Sequence, residues 1–257
     1  MTDDVVIENP PHQAVHLPRQ GVPTRPGEPR ILIVMPAWNE AKSIYGVIRE
    51  IQGELPHADV LVVDDGSVDD TAGQARAAGA IVARLPYNLG VGGAMRLGYR
   101  FAEAHDYDFV VQVDADGQHD PRYVPKLIDA LATADVVIGA RFAGEGRYRV
   151  RGPRKWAMVL LSKVVSRIAR TKLTDTTSGF RATNRKGTSL FASWYPVEYL
   201  GDTVETLVYA ARRDVKIAQV PVAMRTRVAG TPSHSPIKAT IYLIRAAAIL
   251  ALSVVRR

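Results

Sequence analysis

The residues best placed to do chemistry are Asp114 and Asp116, one residue apart where the apolar run of VVQVDADGQHD (110–120) ends. Side chains alternate along an extended chain, so two carboxylates at this spacing fall on one side of it. Together they suit a hard divalent cation, Mg²⁺ or Mn²⁺, which prefers oxygen ligands and keeps positions open for phosphates. Asp-x-Asp-Gly is also an ordinary solvated turn. The deciding feature is the company it keeps. RILIVMPAWNE (30–40) and VLVVDDGSVDD (60–70) are two further apolar runs tipped by polar groups: Trp38, Asn39 and Glu40 in one, Asp64, Asp65, Gly66 and Ser67 in the other.

These runs must be positioned by something regular. Short continuous apolar runs suit strands buried on both faces of a parallel sheet. Five are read here, opening at 30, 60, 81, 109 and 135, the last being DVVIGARF (135–142). Between them lie helical patterns over 41–55, 71–80, 92–105 and 121–133, with Pro121 near the start of the last. Alternating strand and helix predicts a mostly parallel α/β sheet with right-handed crossovers. Ligands of such sheets bind at the carboxyl ends of the strands, so the three polar tips converge on one edge. PYNLGVGGAMRLG (86–98) fails the dinucleotide fingerprint, because Met95 stands where the third glycine belongs. It is read as a flexible loop beside a nucleotide. Past 142 the regularity stops: a basic loop (144–155), an amphipathic helix (156–171) carrying Lys163, Arg167 and Arg170, a loop leading to a short strand (175–185), a helix (202–214), and a strand followed by basic residues (215–228).

The chain has 257 residues, 47% of them hydrophobic, and no cysteine, which excludes disulfides, thiolate metal sites and a cysteine nucleophile. Its formal charge of +7 favours an anionic partner. No helix-turn-helix, zinc spacing or RNA-binding aromatic motif accompanies that charge, so nucleic acid is not expected as a partner. Residues 1–29 are rich in Pro, with no apolar period, and read as a mobile arm or one laid across the surface. The segment 239–257 is apolar but interrupted by Arg245 and closed by Arg256 and Arg257. It reads as a core-packed helix or an interfacial one, and less well as a membrane span. It could equally pair two copies into a homo-oligomer.

Taken in order, MPAWNE, VVDDGSVDDT, NLGVGGAMRLG, VDADGQH, IGAR and DTTSGFR resemble the family 2 glycosyltransferases of the GT-A fold, and more narrowly the polyprenol-phosphate sugar transferases. The resemblance covers roughly residues 30 to 235, leaving an N-terminal arm (1–29) and a C-terminal apolar and basic helix (236–257) outside it. It implies an inverting, metal-dependent transfer of sugar from a UDP- or GDP-linked donor to a polyprenyl phosphate. Pro36, Trp38, Glu40 and Asp65 would hold the nucleoside. Asp114 and Asp116 would bind metal and diphosphate, with Ala115 and Gln118 beside them. Arg141 and Arg154 would meet phosphate, and Ser178, Gly179 and Arg181 would shape the acceptor side. The resemblance also implies a cytoplasmic chain, soluble or peripheral at the membrane's cytoplasmic face.

Asp202 of GDTVET has two readings. It caps a helix over 203–212, with Glu205 at the capping-box position, or it is the general base for a hydroxyl acceptor. An aspartyl-phosphate hydrolase would want Asp-x-Asp on the first strand, followed by Thr or Val; here it lies on the fourth, followed by Gln118. A catalytically dead nucleotide-sugar binding module is the remaining competitor, and the intact acids argue against it.

Overall fold

The run ILIVMPA forms strand β2 (Ile31–Ala37) and is apolar throughout because both of its faces are covered. Leu32 and Val34 point into one core, Ile33 and Met35 into the other, the alternation a strand imposes. Each is fully buried, and each contributes roughly 1.5–3 kcal/mol by leaving water. The computed structural model describes residues 6–8, 27–141, 153–196 and 201–227, with side chains over 27–141, 158–196 and 203–227. The basic loop 144–152, the segment AGTPSHS (229–235), the C-terminal helix and most of the N-terminal arm lie outside the described residues.

In chain order β1 (Val6–Glu8) precedes β2, then come α1 (Ile44–Glu54), β3 (Ala58–Asp64), α2 (Thr71–Ala77), β4 (Ile81–Arg84), α3 (Gly90–Ala104) and β5 (Phe109–Gln112). A 3₁₀ turn (Pro121–Tyr123) leads into α4 (Val124–Ala130) and β6 (Val136–Ala140). Beyond them lie α5 (Pro153–Ala169), β7 (Arg181–Asn184), α6 (Arg185–Ser193), a π-helical turn (Gly201–Glu205), α7 (Thr206–Ala211) and β8 (Ile217–Pro221). The eight strands form one sheet in the order β1-β4-β3-β2-β5-β7-β6-β8. Helices α1, α2 and α4 cover one face, and α3, α5, α6 and α7 the other.

The five expected strands are present and run parallel in direction, so the expected mostly parallel α/β sheet is found. Strand β7 enters antiparallel between β5 and β6, a placement the sequence pattern does not contain. Three residues of the Pro-rich N-terminal segment form β1, which pairs antiparallel with β4. The expected helix over 92–105 is found as α3, which starts two residues earlier at Gly90, so the loop read over 86–98 is confined to its first residues. Its glycines let the helix lie close: a Cβ on Gly98 would fall 2.4 Å from Val34 Cγ1. No helix among the described residues is long and apolar enough to cross a membrane.

Candidate active site at the carboxyl edge of the sheet

Strands β2, β3 and β5 end side by side, and their following loops are stitched together by the polar residues that tip them. Asp65 N–H donates to Ala37 O at 2.8 Å, Asn39 N–H to Ser67 Oγ at 2.9 Å, and Glu40 N–H to Thr71 Oγ1 at 2.8 Å. The turn needs Gly66, at φ +71°, where a Cβ would sit 2.8 Å from the backbone of Tyr87. Trp38 stands out from this edge, 48% exposed, beside a left-handed Asn39. Pro36 and Ala115 are buried.

Asp65 is engaged by backbone: its carboxylate accepts from the N–H groups of Leu89 at 2.7 Å and Gly90 at 2.8 Å, anchoring the start of α3. Burial pushes its carboxyl up, and these two donors pull against that rise. Asp69 accepts from Ala41 N–H and Thr71 N–H and so ties the β3 loop to α1. Asp70 stands at the N-cap of α2 without a capping hydrogen bond.

Asp114 and Asp116 lie beyond the last residue of β5, so extended-strand alternation does not place them; a turn through Gly117 at φ +77° does. Their environments differ. Asp114 is partly exposed, and Gln112 Nε2 donates to its Oδ1 at 3.2 Å. Its backbone N–H donates to His119 Nδ1 at 3.0 Å, and the buried His119 ring stacks on Phe180 at 4.7 Å. His119 thus fixes the backbone that carries Asp114. Asp116 is buried; its Oδ1 accepts from Gln118 N–H at 2.9 Å and its Oδ2 lies 2.8 Å from Arg227 Nη2. Burial, and then the nearby Asp114, pushes the Asp116 carboxyl up, with Arg227 opposing.

Arg227 also reaches Glu40 Oε1 at 3.3 Å, so one guanidinium spans the tips of β2 and β5. Burial pushes Glu40 up as well, against the Ser43 hydroxyl and Arg227. Two residues earlier, Arg225 pairs with Glu50 and Asp120, both at 2.7 Å, while its N–H donates to Gln118 O. The segment after β8 is therefore clipped across the acid edge. In the sequence these arginines show only as basic residues following the strand over 215–228. The Arg227 guanidinium pairs with both Asp116 and Glu40 at this acidic edge. No group of three or more His, Asp or Glu able to hold a metal occurs among the described residues. Two carboxylates with open positions suit Mg²⁺ or Mn²⁺ bound jointly with phosphate.

The other side is built from DTTSGFR. Arg141, at the end of β6, makes a two-pronged pair with the buried Asp175, Nε to Oδ2 at 2.7 Å and Nη2 to Oδ1 at 2.9 Å, and also donates to Thr177 Oγ1. This pairing holds the Asp175 carboxyl below its usual range, outweighing the opposing effect of burial. Gly179 lets the loop touch the acid edge: a Cβ there would lie 2.9 Å from Gln112 Nε2 and 3.6 Å from Asp114 Oδ2.

Two residues expected to shape the acceptor side are buried. Arg181 is 1% exposed and donates to Ser178 O, Thr176 O, Thr203 O and Thr206 Oγ1, so it braces this side from within. Ser178 is likewise buried, its Oγ accepting from Phe180 N–H. Asp202 sits inside the π-helical turn that starts at Gly201, not ahead of it as an N-cap would. Arg154 lies in the first turn of α5; the side chains of both fall outside the described residues.

The family model described as glycosyl transferase family 2 matches residues 32–190. The undecaprenyl-phosphate mannosyltransferase of Micrococcus luteus is 35% identical over 218 residues, covering 80% of this chain and 88% of that protein. The polyprenol monophosphomannose synthase of Mycolicibacterium smegmatis is 32% identical over 168 residues, 61% of this chain and 62% of that one. Among solved structures, the glucosyl-3-phosphoglycerate synthase of Mycobacterium tuberculosis, crystallised with Mg²⁺ and uridine diphosphate, superposes with a TM-score of 0.61 at 25% identity, over 88% of this chain and 79% of that one. With its GT-A sheet and its acid-tipped strands, the chain belongs to glycosyl transferase family 2 and is a glycosyltransferase.

Proposed function

We propose that the chain moves a hexose from a nucleoside diphosphate sugar to a polyprenyl phosphate, with inversion at the anomeric carbon. The observation that carries the reading is the meeting of Glu40 and Asp116 at one acidic edge beside Asp114, where Arg227 pairs with the first through Nη1 and with the second through Nη2. The lipid acceptor is supported by the mannosyltransferases of M. luteus and M. smegmatis, whose names specify undecaprenyl phosphate and polyprenol.

Asp114 and Asp116 would hold Mg²⁺ or Mn²⁺, which supplies charge neutralisation at the departing diphosphate. Trp38 offers a face for the base, and Glu40 a carboxylate for the nucleoside. Asp65 orders the start of α3 beside them and keeps lone pairs for a ribose hydroxyl. Gln118 and the buried Ala115 complete the donor floor. Arg141, paired with Asp175, would set positive charge on the acceptor side for the phosphate, and Arg154 lies on the helix that follows. An ionised phosphate oxygen attacks the anomeric carbon as the bond from that carbon to the diphosphate oxygen breaks, so the nucleoside diphosphate leaves on the opposite side. No proton has to be removed, and the step needs no general base. Its oxocarbenium-like transition state is served by fixed charges.

A second reading is favoured by one tie: Arg181 joins the turn bearing Asp202 to the loop whose Gly179 abuts Asp114. Asp202 would then act as base toward a hydroxyl acceptor. Nucleotide release from UDP- and GDP-sugars with Mn²⁺ or Mg²⁺, with and without polyprenyl phosphate, separates the two. Release stimulated by the lipid phosphate and retained in Asp202→Asn is expected. Release indifferent to the lipid but lost in Asp202→Asn hands the site to a hydroxyl acceptor.

A further inference from the structure

We propose that the outer face of α5, with the groove beside it, docks on a bilayer bearing anionic phospholipid headgroups. The groove, about 750 Å³ in volume, lies between α5 and the strand of chain that returns from it to Thr174. Met158 and the buried Leu173 give it an apolar floor. Lys163, Arg167, Arg170 and Lys172 stand along it, all exposed. Several other surface cations are paired, Arg122 with Asp120, Arg185 with Asp108 and Lys186 with Asp135. Among the described residues, none of the four groove cations makes an ion pair. The sequence supplies no acid to do so, for none occurs between Glu145 and Asp175.

The same helix face changes character along its length. Val159 and Leu160 are 40% and 48% exposed, Lys163 and Arg167 follow at three- and four-residue steps, which places them on one side, and Arg170 stands just past the end of the helix. Apolar side chains that enter the interface, next to cations that meet phosphates, are what binds a helix to an anionic membrane surface. A polynucleotide would want bases stacked on aromatic side chains interleaved with the cations, and residues 163–172, which carry the four cations, contain none. The chain's own apolar segment 239–257 is a poor occupant: its charged residues, Arg245, Arg256 and Arg257, would meet like charge. The groove ends at Thr174, next in sequence to Asp175, the partner of Arg141. Docking here would therefore bring the phosphate-facing side of the site toward the membrane plane. The inference does not depend on which acceptor is used.

The test is co-sedimentation of the full chain with phosphatidylcholine vesicles and with vesicles that also contain phosphatidylglycerol. Binding only to the anionic vesicles, weakening with salt, is expected. Each cation removed near a membrane surface weakens binding roughly fivefold. The variant Lys163→Gln/Arg167→Gln/Arg170→Gln/Lys172→Gln should therefore lose nearly all of it while keeping its melting temperature, since all four side chains are exposed. Leu160→Ser should weaken it several-fold in a manner insensitive to salt. Wild-type binding by the fourfold variant overturns the proposal. So does loss of binding solely on removal of residues 239–257, which assigns the contact to that segment, and so does a single-stranded polynucleotide bound more tightly than the vesicles.

Discussion

The two halves of the sheet hold their polar groups by different means. On the side of β2, β3 and β5, loops at the ends of parallel strands bond one another through backbone groups and small side chains: Asn39 with Ser67 and Val68, Glu40 with Thr71, Asp65 with Leu89 and Gly90. On the side of β6, β7 and β8, guanidinium groups join the segments over similar sequence separations, the partly buried Arg141 to Asp175 and the buried Arg181 to Thr203 and Thr206. The first arrangement follows almost automatically once parallel strands are in register. The second depends on individual charged residues, each of which would be costly if left without its partner. The nucleotide side is thus held mainly by backbone groups and small side chains, and the acceptor side by a few guanidinium braces.

The largest effect should come from the donor side without disturbing the scaffold. Asp116→Asn removes the charge that Arg227 and a metal compete for, and transfer should fall on the order of a thousandfold. The melting temperature should stay close to wild type, because the Asn Oδ1 can still accept from Gln118 N–H. Transfer assays beside thermal unfolding check it; a large drop in melting temperature would mean that this half, too, hangs on single charges.

On the acceptor side the weights should reverse. Arg181→Met leaves the carbonyls of Thr176, Ser178 and Thr203 without their buried donor. The expected loss is about 2–4 kcal/mol, read as a melting temperature lower by roughly 5–15 °C. Nucleotide binding, measured by calorimetry with Mn²⁺ present, should survive at temperatures where the variant is folded, while sugar transfer falls. Equal damage to both would erase the distinction between the halves.

This asymmetry also explains what the sequence could disclose. Apolar runs and their acidic tips are local patterns, so β2 to β6 and the meeting of Glu40, Asp65, Asp114 and Asp116 at one edge were legible before any coordinates. Strand direction is not a local pattern: RATN carries no mark that β7 will run antiparallel between β5 and β6. Helix α6 was missed although Asn184, whose Oδ1 accepts from Gly187 N–H at 3.0 Å, is a capping signal in plain view. The roles of Arg225, Arg227, His119 and Asp175 depend on partners up to 187 positions away, and no spacing rule reaches that far. Arg181 was placed at the acceptor by likeness of motif, and only its burial reveals the brace.

A smaller effect separates recognition from scaffold within the nucleotide side. Trp38 is half exposed and holds no loop in place through its ring, so Trp38→Ala should leave stability within about 0.5 kcal/mol of wild type. Loss of a base-stacking face should weaken donor binding roughly tenfold, with the Michaelis constant for the acceptor unchanged. A shift confined to the acceptor constant would move Trp38 out of the donor pocket.

The smallest effect probes the seam where the halves meet. Asp120 belongs to the β5 side, and Arg225 crosses to it from beyond β8. Burial pulls the Asp120 carboxyl up, but the bonds from Arg122 and Arg225 outweigh it and hold the folded value at about 2, against 3.8 for the unperturbed group. A depressed carboxyl contributes stability that is complete above the unfolded value and disappears as pH falls through the folded one. The seam should therefore weaken between about pH 4 and pH 2, by about 1–2 kcal/mol. Denaturant unfolding of wild type and Asp120→Asn across that window should give curves that differ at pH 6 and converge toward pH 2. Parallel curves would mean that Arg225 draws its hold from Glu50 alone, and that the clip over the acid edge is anchored in α1.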